Sequence, residues 1–235
     1  MYNVSIIGAS GYTGAQLVQL VHQHPALSLE GTYVSENSAD AGKNIAALHG
    51  NLAHLNYSLT PISNDILVEL ATEMDFVLLA TPHEASHDWM ETLSAGKAKI
   101  LDLSGAFRIK DTEVFEQFYG FPHTAKASLQ EAVYGLAEWY EDDIAQADII
   151  AVPGCYPTAS LSALKPLAAN GLLDDAVRPV INAVSGVSGA GRKASLTSSF
   201  YEVSLQAYGV LGHRHTPEIE AYLAAKKSTG SGLDG

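Results

Sequence analysis

Short apolar runs alternate with stretches of helical periodicity over most of the chain. Val4-Ser5-Ile6-Ile7 is a β-like run. Leu17, Val18, Leu20 and Val21 then recur at helical spacing up to Pro25, and Leu29 to Val34 reads as a second strand. This opening predicts a β-α-β unit. Residues 45–74 alternate between loop and helix. Three further runs, Asp75 to Thr81, Lys99 to Leu103 and Asp148 to Val152, have the near-continuous apolar character of parallel strands covered on both faces. Leu161, Leu164 and Leu167, followed by Gly171, predict a helix with a C-terminal stop, kinked or restarted at Pro166. One more strand is expected at Val180 to Val184. The alternation of strand and helix signals predicts the α/β class.

The first turn carries the first chemistry. Gly8-Ala9-Ser10-Gly11-Tyr12-Thr13-Gly14 lies between strand and helix, with glycines spaced GxxGxxG. Glycines there permit a tight turn and let a pyrophosphate approach the N–H groups of the helix start, the physical basis of dinucleotide binding. The turn after the second strand selects between the nicotinamide cofactors, because an acidic group there favours a free ribose 2'-hydroxyl. Ser35, Ser38 and Lys43 suit a 2'-phosphate and Glu36 opposes it, so the residues leave the choice open.

A second concentration of chemistry surrounds Cys155, the only cysteine, in Pro153-Gly154-Cys155-Tyr156-Pro157-Thr158 between a strand and a helix. A helix start favours an anion, which makes a thiolate nucleophile a reading to set beside that of a small buried apolar residue. Arg108 follows a strand end and points toward the crevice where open α/β sheets take ligands; a surface ion pair is its simpler role. Ser185 to Lys193 holds small residues and the adjacent cations Arg192 and Lys193, which suit a phosphate, or make a linker. His213-Arg214-His215-Thr216-Pro217-Glu218 crowds two histidines, an arginine and a carboxylate together. One of the histidines would serve as acid or base, and His215 is favoured because it stands nearer Glu218, which could orient it. His83-Glu84-Ala85-Ser86-His87 fits the HExxH zinc pattern, but it follows a strand and Pro82 directly, and the expected reading is a loop beside the cofactor with no metal.

Charge narrows the partners. With 13 Lys+Arg against 26 Asp+Glu, the formal charge of -13 opposes nucleic acid and anionic membranes. An anionic small molecule would need a local cluster of cations. One cysteine excludes an internal disulfide framework, no apolar run is long enough to cross a bilayer, and the N-terminal residues carry no signal-like segment, so the expected location is cytoplasmic.

The ordered blocks GASGYTG, LATPHEASH, DLSGAFR, YGLAE, AVPGCYPTA, SGVSGAGRK and GHRHTPEIE resemble the N-acetyl-gamma-glutamyl-phosphate reductases of arginine biosynthesis, which are related in fold to aspartate-semialdehyde dehydrogenase. The resemblance covers residues 1 to about 222. It implies an NADP-binding Rossmann domain over 1–153, an α/β (α+β) substrate and dimerisation domain over 154–225 that lacks the family's C-terminal segment, and a linker-like tail over 226–235. It implies NADPH-dependent reduction of an acyl phosphate to a semialdehyde through a cysteine thioester, in a homo-oligomer, dimer or tetramer. Cys155 would be the nucleophile, with His215, His213 and Glu218 completing the catalytic set. Gly8, Ser10, Gly11, Tyr12, Thr13, Gly14, Ser35, Ser38, Thr81, Pro82, Ser185 and Gly186 would meet the cofactor. Ser104, Arg108, Gly189, Arg192, Lys193 and Arg214 would meet the substrate. Reductases of N-acetyl-aminoadipyl phosphate or aspartyl phosphate, or a nucleotide-binding fragment without turnover, are the alternatives. Glu36 weakens the expected preference for NADP.

Overall fold

The computed structural model describes residues 1–174 and 176–224. Its frame is a seven-stranded, all-parallel sheet in the order β3-β2-β1-β4-β5-β7-β6. β1 (Tyr2–Ile7), β2 (Leu27–Val34), β4 (Phe76–Leu79), β5 (Lys99–Asp102) and β7 (Ile149–Ala151) fall on the predicted runs. Two short strands, β3 (Leu59–Pro61) and β6 (Val133–Tyr134), are additions at the sheet's edges, too brief to leave a periodic signal. The chain leaves β2 to one side and returns to β4 on the other side of β1. That reversal opens the crevice where doubly wound sheets bind nucleotides.

Neighbouring strand residues point to opposite faces, so each strand feeds two cores. Ile7, Val77, Leu79, Ile100 and Ile149 pack with Met90, Leu93 and Phe107 on one face. Val4, Ile6 and Leu78 pack with Ala15, Val18 and Val21 of α1 (Tyr12–Gln23) on the other. Burial on both faces is why these runs read as continuously apolar.

α2 (Asn64–Glu73) is capped by the Ser63 hydroxyl, and α4 (Thr112–Tyr119) by Asp111, whose carboxylate accepts from Glu113 and Val114 N–H. Between them lies α3 (His83–Leu93). This corrects the expected loop at HEASH: Pro82 is the N-cap, with φ -57 and an extended ψ of 156, a position where its missing N–H costs no intrahelical bond. α5 (Lys126–Glu131) and α6 (Ala137–Gln146) precede β6 and β7 respectively.

α7 (Cys155–Ala169) is one helix through Pro166, so the chain does not restart there. Its buried face is Pro157, Ser160, Leu161 and Lys165, whereas Leu167 is exposed. The Lys165 ammonium is held by the Tyr140 hydroxyl at 3.2 Å and the Tyr222 carbonyl at 2.7 Å, over the Trp139 ring. With α8 (Thr216–Ala224) these groups form a third cluster of Tyr134, Leu136, Tyr140 and Leu161, packed by Ile219, Tyr222 and Leu223.

The strand expected at Val180 to Val184 is absent. These residues form no regular element, and Val180, Ile181 and Val184 are exposed. A β propensity becomes a strand only where a neighbour supplies ladder partners, and among the described residues none pairs here. The linker-like tail lies outside the described residues apart from its approach in α8. No helix of the described residues is long and apolar enough to cross a membrane.

Candidate active site

Gly8 begins the nucleotide turn at φ +88, and a Cβ there would run into the Ala80 carbonyl at the end of the neighbouring strand. Gly11 is the N-cap of α1 and offers no side-chain cap, which leaves the first-turn N–H groups open to an anion. A Cβ on Gly11 would meet nothing nearer than the Gly8 carbonyl at 3.6 Å, so the space over the turn is a cradle free of side chains. These features fit a dinucleotide pyrophosphate. His49, which no sequence motif singles out, is buried beneath this turn and donates from Nε2 to the Ser10 carbonyl at 2.9 Å. Only the fold brings it there. Thr81 shares a hydrogen bond of 2.7 Å with Ser86, at the start of α3.

The second part of the crevice forms where β5 and β7 end. Asp102 is fully buried at the end of β5 and accepts from the Ser104 N–H at 2.9 Å and hydroxyl at 2.8 Å. Burial raises the Asp102 pKa, opposed by these bonds from Ser104. Ser104 also accepts from Ala106 N–H, so its hydroxyl shapes the turn. The turn delivers Arg108, which is 5% exposed, and whose guanidinium donates to the carbonyls of Val152 and Leu103, both at 2.7 Å. Its remaining nitrogen lies 3.5 Å from Glu218.

Glu218, on α8, has 0% exposure. One carboxylate oxygen accepts from the Tyr134 hydroxyl at 2.8 Å and from Gly154 N–H at 2.9 Å. Its other oxygen faces Arg108. Glu218 therefore clamps the end of β6, the residue before the cysteine and the Arg108 turn, and makes no hydrogen bond to His215. Tyr134, which also stacks on Tyr222 with ring centroids 3.4 Å apart, is a further residue of the network. Its role was hidden in the sequence because its partner lies 84 positions away.

Cys155 opens α7, with its side chain exposed. A Cβ on Gly154 would stand 2.7 Å from His215 Nε2 and 2.9 Å from an Arg108 nitrogen. Glycine is thus required for His215 and Arg108 to crowd the turn before Cys155. His215 is buried, its Nδ1 has no hydrogen-bond partner among the described residues, and its pKa is lowered to about 3 by burial, with Arg108, His213 and Arg214 adding to the effect. It is a neutral imidazole at neutral pH. His213 accepts the His215 backbone N–H at 3.1 Å and packs on Tyr156 and Tyr208, whose hydroxyls are 2.5 Å apart. Tyr208 is pushed up to about 12, first by that bond to Tyr156 and then by burial.

Arg214 lies beside His83, 3.1 Å from its Nε2. Arg192, by contrast, forms an ion pair with Asp40 in the loop after β2, where Asp40 also takes Lys43 at 3.0 Å. Ser38 accepts from Asp40 N–H in the same loop. Arg192 thus meets the nucleotide-side loop, whereas the sequence pointed it to a substrate phosphate. Ser185, Gly186, Gly189 and Lys193 lie exposed along this strap, the Ser185 hydroxyl bonding to the neighbouring Gly186 carbonyl. His87 accepts Thr124 N–H at Nε2 and donates to Asp88 from Nδ1. The described residues hold no group of three His, Cys, Asp or Glu arranged for a metal.

A dinucleotide cradle and a cysteine at a helix start, joined across one parallel sheet, define a dehydrogenase-type architecture. The model for the NAD-binding domain of semialdehyde dehydrogenases matches residues 3–147, and that for their dimerisation domain matches residues 155–231. The chain belongs to the semialdehyde dehydrogenase family. Within it, the chain is 81% identical to an N-acetyl-gamma-glutamyl-phosphate reductase of Alteromonas mediterranea, over 95% of this chain and 66% of that protein. It is 53% identical to one of Moritella profunda, over 95% of this chain and 67% of the other. The chain thus spans about two thirds of the length of the curated relatives it matches. Aspartate semialdehyde dehydrogenase II of Vibrio cholerae shares the fold, with a TM-score of 0.52 at 19% identity, covering 71% of this chain and 42% of that one.

Proposed function

We propose that the chain carries the catalytic machinery of an NADPH-dependent N-acetyl-gamma-glutamyl-phosphate reductase, in which Cys155 takes up the acyl group as a thioester. Its close relatives bear that name. The observation that carries the chemistry is the crowding of His215 and Arg108 against Gly154, one residue before a cysteine that opens a helix of 15 residues.

In this reading the Cys155 sulfur attacks the acyl carbonyl and the carbon–oxygen bond to phosphate breaks, leaving a thioester and free phosphate. The Gly8–Gly14 turn would hold NADPH, which when bound would supply hydride for reducing the thioester to the thiohemiacetal level. The N-terminal N–H groups of α7 stabilise the oxygen anion that develops at the carbonyl. His215, whose Nε2 stands beside the turn before Cys155, is placed to exchange protons with the Cys155 thiol. It is equally suited to take the proton of the thiohemiacetal hydroxyl as the carbon–sulfur bond breaks and the aldehyde departs. Arg108 is held rigidly by two carbonyls, so its charge meets an incoming anion with no rearrangement. The matched dimerisation domain supports assembly as a homo-oligomer. A domain division at residue 153 is supported by the change from sheet to helices there, since the described residues of 155–224 contribute no strand.

The test is NADP reduction by this chain with N-acetyl-glutamate semialdehyde and phosphate, beside Cys155→Ala. Phosphate-dependent turnover that vanishes in the variant is expected. Turnover surviving the loss of the thiol would overturn the covalent route.

A further inference from the structure

HEASH begins α3, and the mechanism above leaves it without a task. Its first histidine has an unusual setting. The Gly105 backbone N–H, which can only donate, points at His83 Nδ1 at 2.7 Å. That bond fixes the tautomer: Nδ1 offers its lone pair, and Nε2 carries the hydrogen. Yet the neighbour of Nε2, at 3.1 Å, is an Arg214 nitrogen, which is also a donor. Two donors therefore stand side by side and satisfy neither one another nor themselves. Burial, followed by Arg214 and Arg108, lowers the His83 pKa to about 4, so the ring is neutral at physiological pH.

The third member is Tyr119. Its ring meets His83 edge to face with centroids 4.9 Å apart, and its hydroxyl lies against Gly105, on the same turn that fixes His83. That hydroxyl is buried and has no hydrogen-bond partner among the described residues. His83, Tyr119, Arg214, Arg108 and His215 thus lie within electrostatic reach of one another as a local group of donors with two guanidinium charges, of which Arg108 already faces Glu218. Such a group is complementary to an anion with more than one acceptor oxygen. It cannot hold zinc at His83, because one nitrogen is spent on Gly105 and a guanidinium stands at the other.

Taking the acyl-phosphate reading above as the reaction, we propose that His83 Nε2–H, with Arg214 and the Tyr119 hydroxyl, binds the free carboxylate of the substrate. His83 is then a specificity-determining residue: it favours acyl phosphates that carry a second anionic group remote from the reacting carbon. The reacting end would lie toward Cys155 and His215, and the carboxylate toward α3.

Glutamine and asparagine separate the two ring nitrogens. His83→Gln places an amide N–H near Nε2, whereas His83→Asn reproduces the acceptor facing Gly105 and deletes the donor toward the substrate. The measurement is protection of Cys155 from iodoacetamide by N-acetyl-L-glutamate, by its α-methyl ester and by inorganic phosphate. Melting temperature and NADP affinity serve as checks on folding and on the nucleotide cradle. For N-acetyl-L-glutamate the half-protecting concentration is expected to rise roughly tenfold in His83→Asn and a few-fold in Tyr119→Phe, and to stay within about threefold in His83→Gln, as loss of a charge-assisted bond implies. The α-ester should protect weakly and be indifferent to the substitutions. Equal behaviour of Asn and Gln at intact NADP affinity would overturn the donor role, as would absence of protection in the unsubstituted chain. Loss of phosphate protection alone would move the site to the phosphate, and loss of NADP affinity alone would move His83 to the cofactor; either outcome overturns the carboxylate assignment. Turnover of the unsubstituted chain is measured separately, so failure of the reductase reading is distinguished from failure of this site.

Discussion

The sheet and the segment at 172–212 contain the same kinds of apolar residue with opposite fates. Ile6, Ile7, Val77 and Leu79 are at most 0% exposed, whereas Phe200, Tyr201 and Leu205 are 90%, 94% and 89% exposed. Local sequence does not account for this, since valine, leucine and tyrosine serve both regions. What differs is whether the fold brings a second apolar surface to meet the first. Every strand of the central sheet has a neighbour in the ladder, and the central strands are buried in the clusters on its two faces. The long segment has backbone turns, the Arg192–Asp40 pair and the Tyr208 hydroxyl against that of Tyr156, but none of its described residues belongs to the buried clusters. α8, which follows it, belongs energetically with the sheet: His215 and Glu218 are buried against Gly154 and Arg108. Pattern predicts an element's preference, and contact decides whether the preference is realised.

The largest test of this contrast is Glu218→Ala. It removes the anion facing a buried guanidinium and leaves the Tyr134 hydroxyl and Gly154 N–H without their acceptor. The expected cost is about 3–5 kcal/mol in unfolding free energy, the range for breaking a buried pair from one side. Leu79→Ala should cost about 2–5 kcal/mol through its cavity, while Leu205→Ala in the strap should fall within about 0.5 kcal/mol. Denaturant titration of the three variants ranks them. An equal loss at Leu205 would show that the segment is packed in solution and break the comparison.

A second distinction lies in the histidines that the body holds neutral. His83 and His123 are lowered to about 4 and His215 to about 3, in each case chiefly by burial. In the unfolded chain an imidazole binds its proton near pH 6.5. As pH falls below that value the unfolded state takes up protons that the folded state refuses, so stability is full above about 6.5 and declines as pH drops toward 4. The melting temperature should therefore fall between pH 7 and pH 5. His123→Gln, which keeps an N–H toward the Ala106 carbonyl now bonded by His123 Nε2, should flatten that decline. An unchanged slope would mean that His123 titrates normally in the folded chain.

Much of the fold was legible because its signals are local. The apolar runs at β1, β2, β4, β5 and β7 and the glycine turn declare themselves within a few residues. β3 and β6 did not, being two or three residues long and defined by what they pair with. At the site, Cys155, Arg108 and His215 could be named from neighbouring motifs, and the crowding at Gly154 brings them together. Glu218 could be named, but its partners could not: proximity in sequence suggested His215, and folding supplied Tyr134 and Gly154. His83 was legible only as a metal-like pattern, because the donor facing it belongs to Arg214, 131 positions away. Arg192 was assigned by its charge to a phosphate of the substrate, and its ion pair with Asp40 could not be foreseen from a loop of small residues.

Arg192→Ala sharpens the comparison at a smaller scale, since this pair, with Asp40 buried and Arg192 partly exposed, is the strap's ionic link to the nucleotide-side loop. A pair of this kind contributes up to about 1 kcal/mol. If Arg192 acts through that loop, the variant should weaken NADP by a few-fold and leave N-acetyl-L-glutamate binding unchanged. The opposite split would return Arg192 to the substrate.

The smallest expected change is the most specific to the exposed segment. Phe200→Ser combined with Tyr201→Ser removes two adjacent rings that contact each other with centroids 5.7 Å apart and are otherwise open to solvent. Substitutions at so exposed a pair should alter unfolding free energy by no more than about 0.5 kcal/mol. Yet exposed apolar area of this kind governs adhesion to other surfaces. The double variant should therefore bind less of a hydrophobic dye and sediment with less self-association at equal concentration, with its melting temperature unchanged. A drop of several degrees would instead mean that these rings are buried in the protein's solution state, by a second copy or by the segment itself. In that case the contrast between the sheet and the strap would be one of partner identity, with burial common to both.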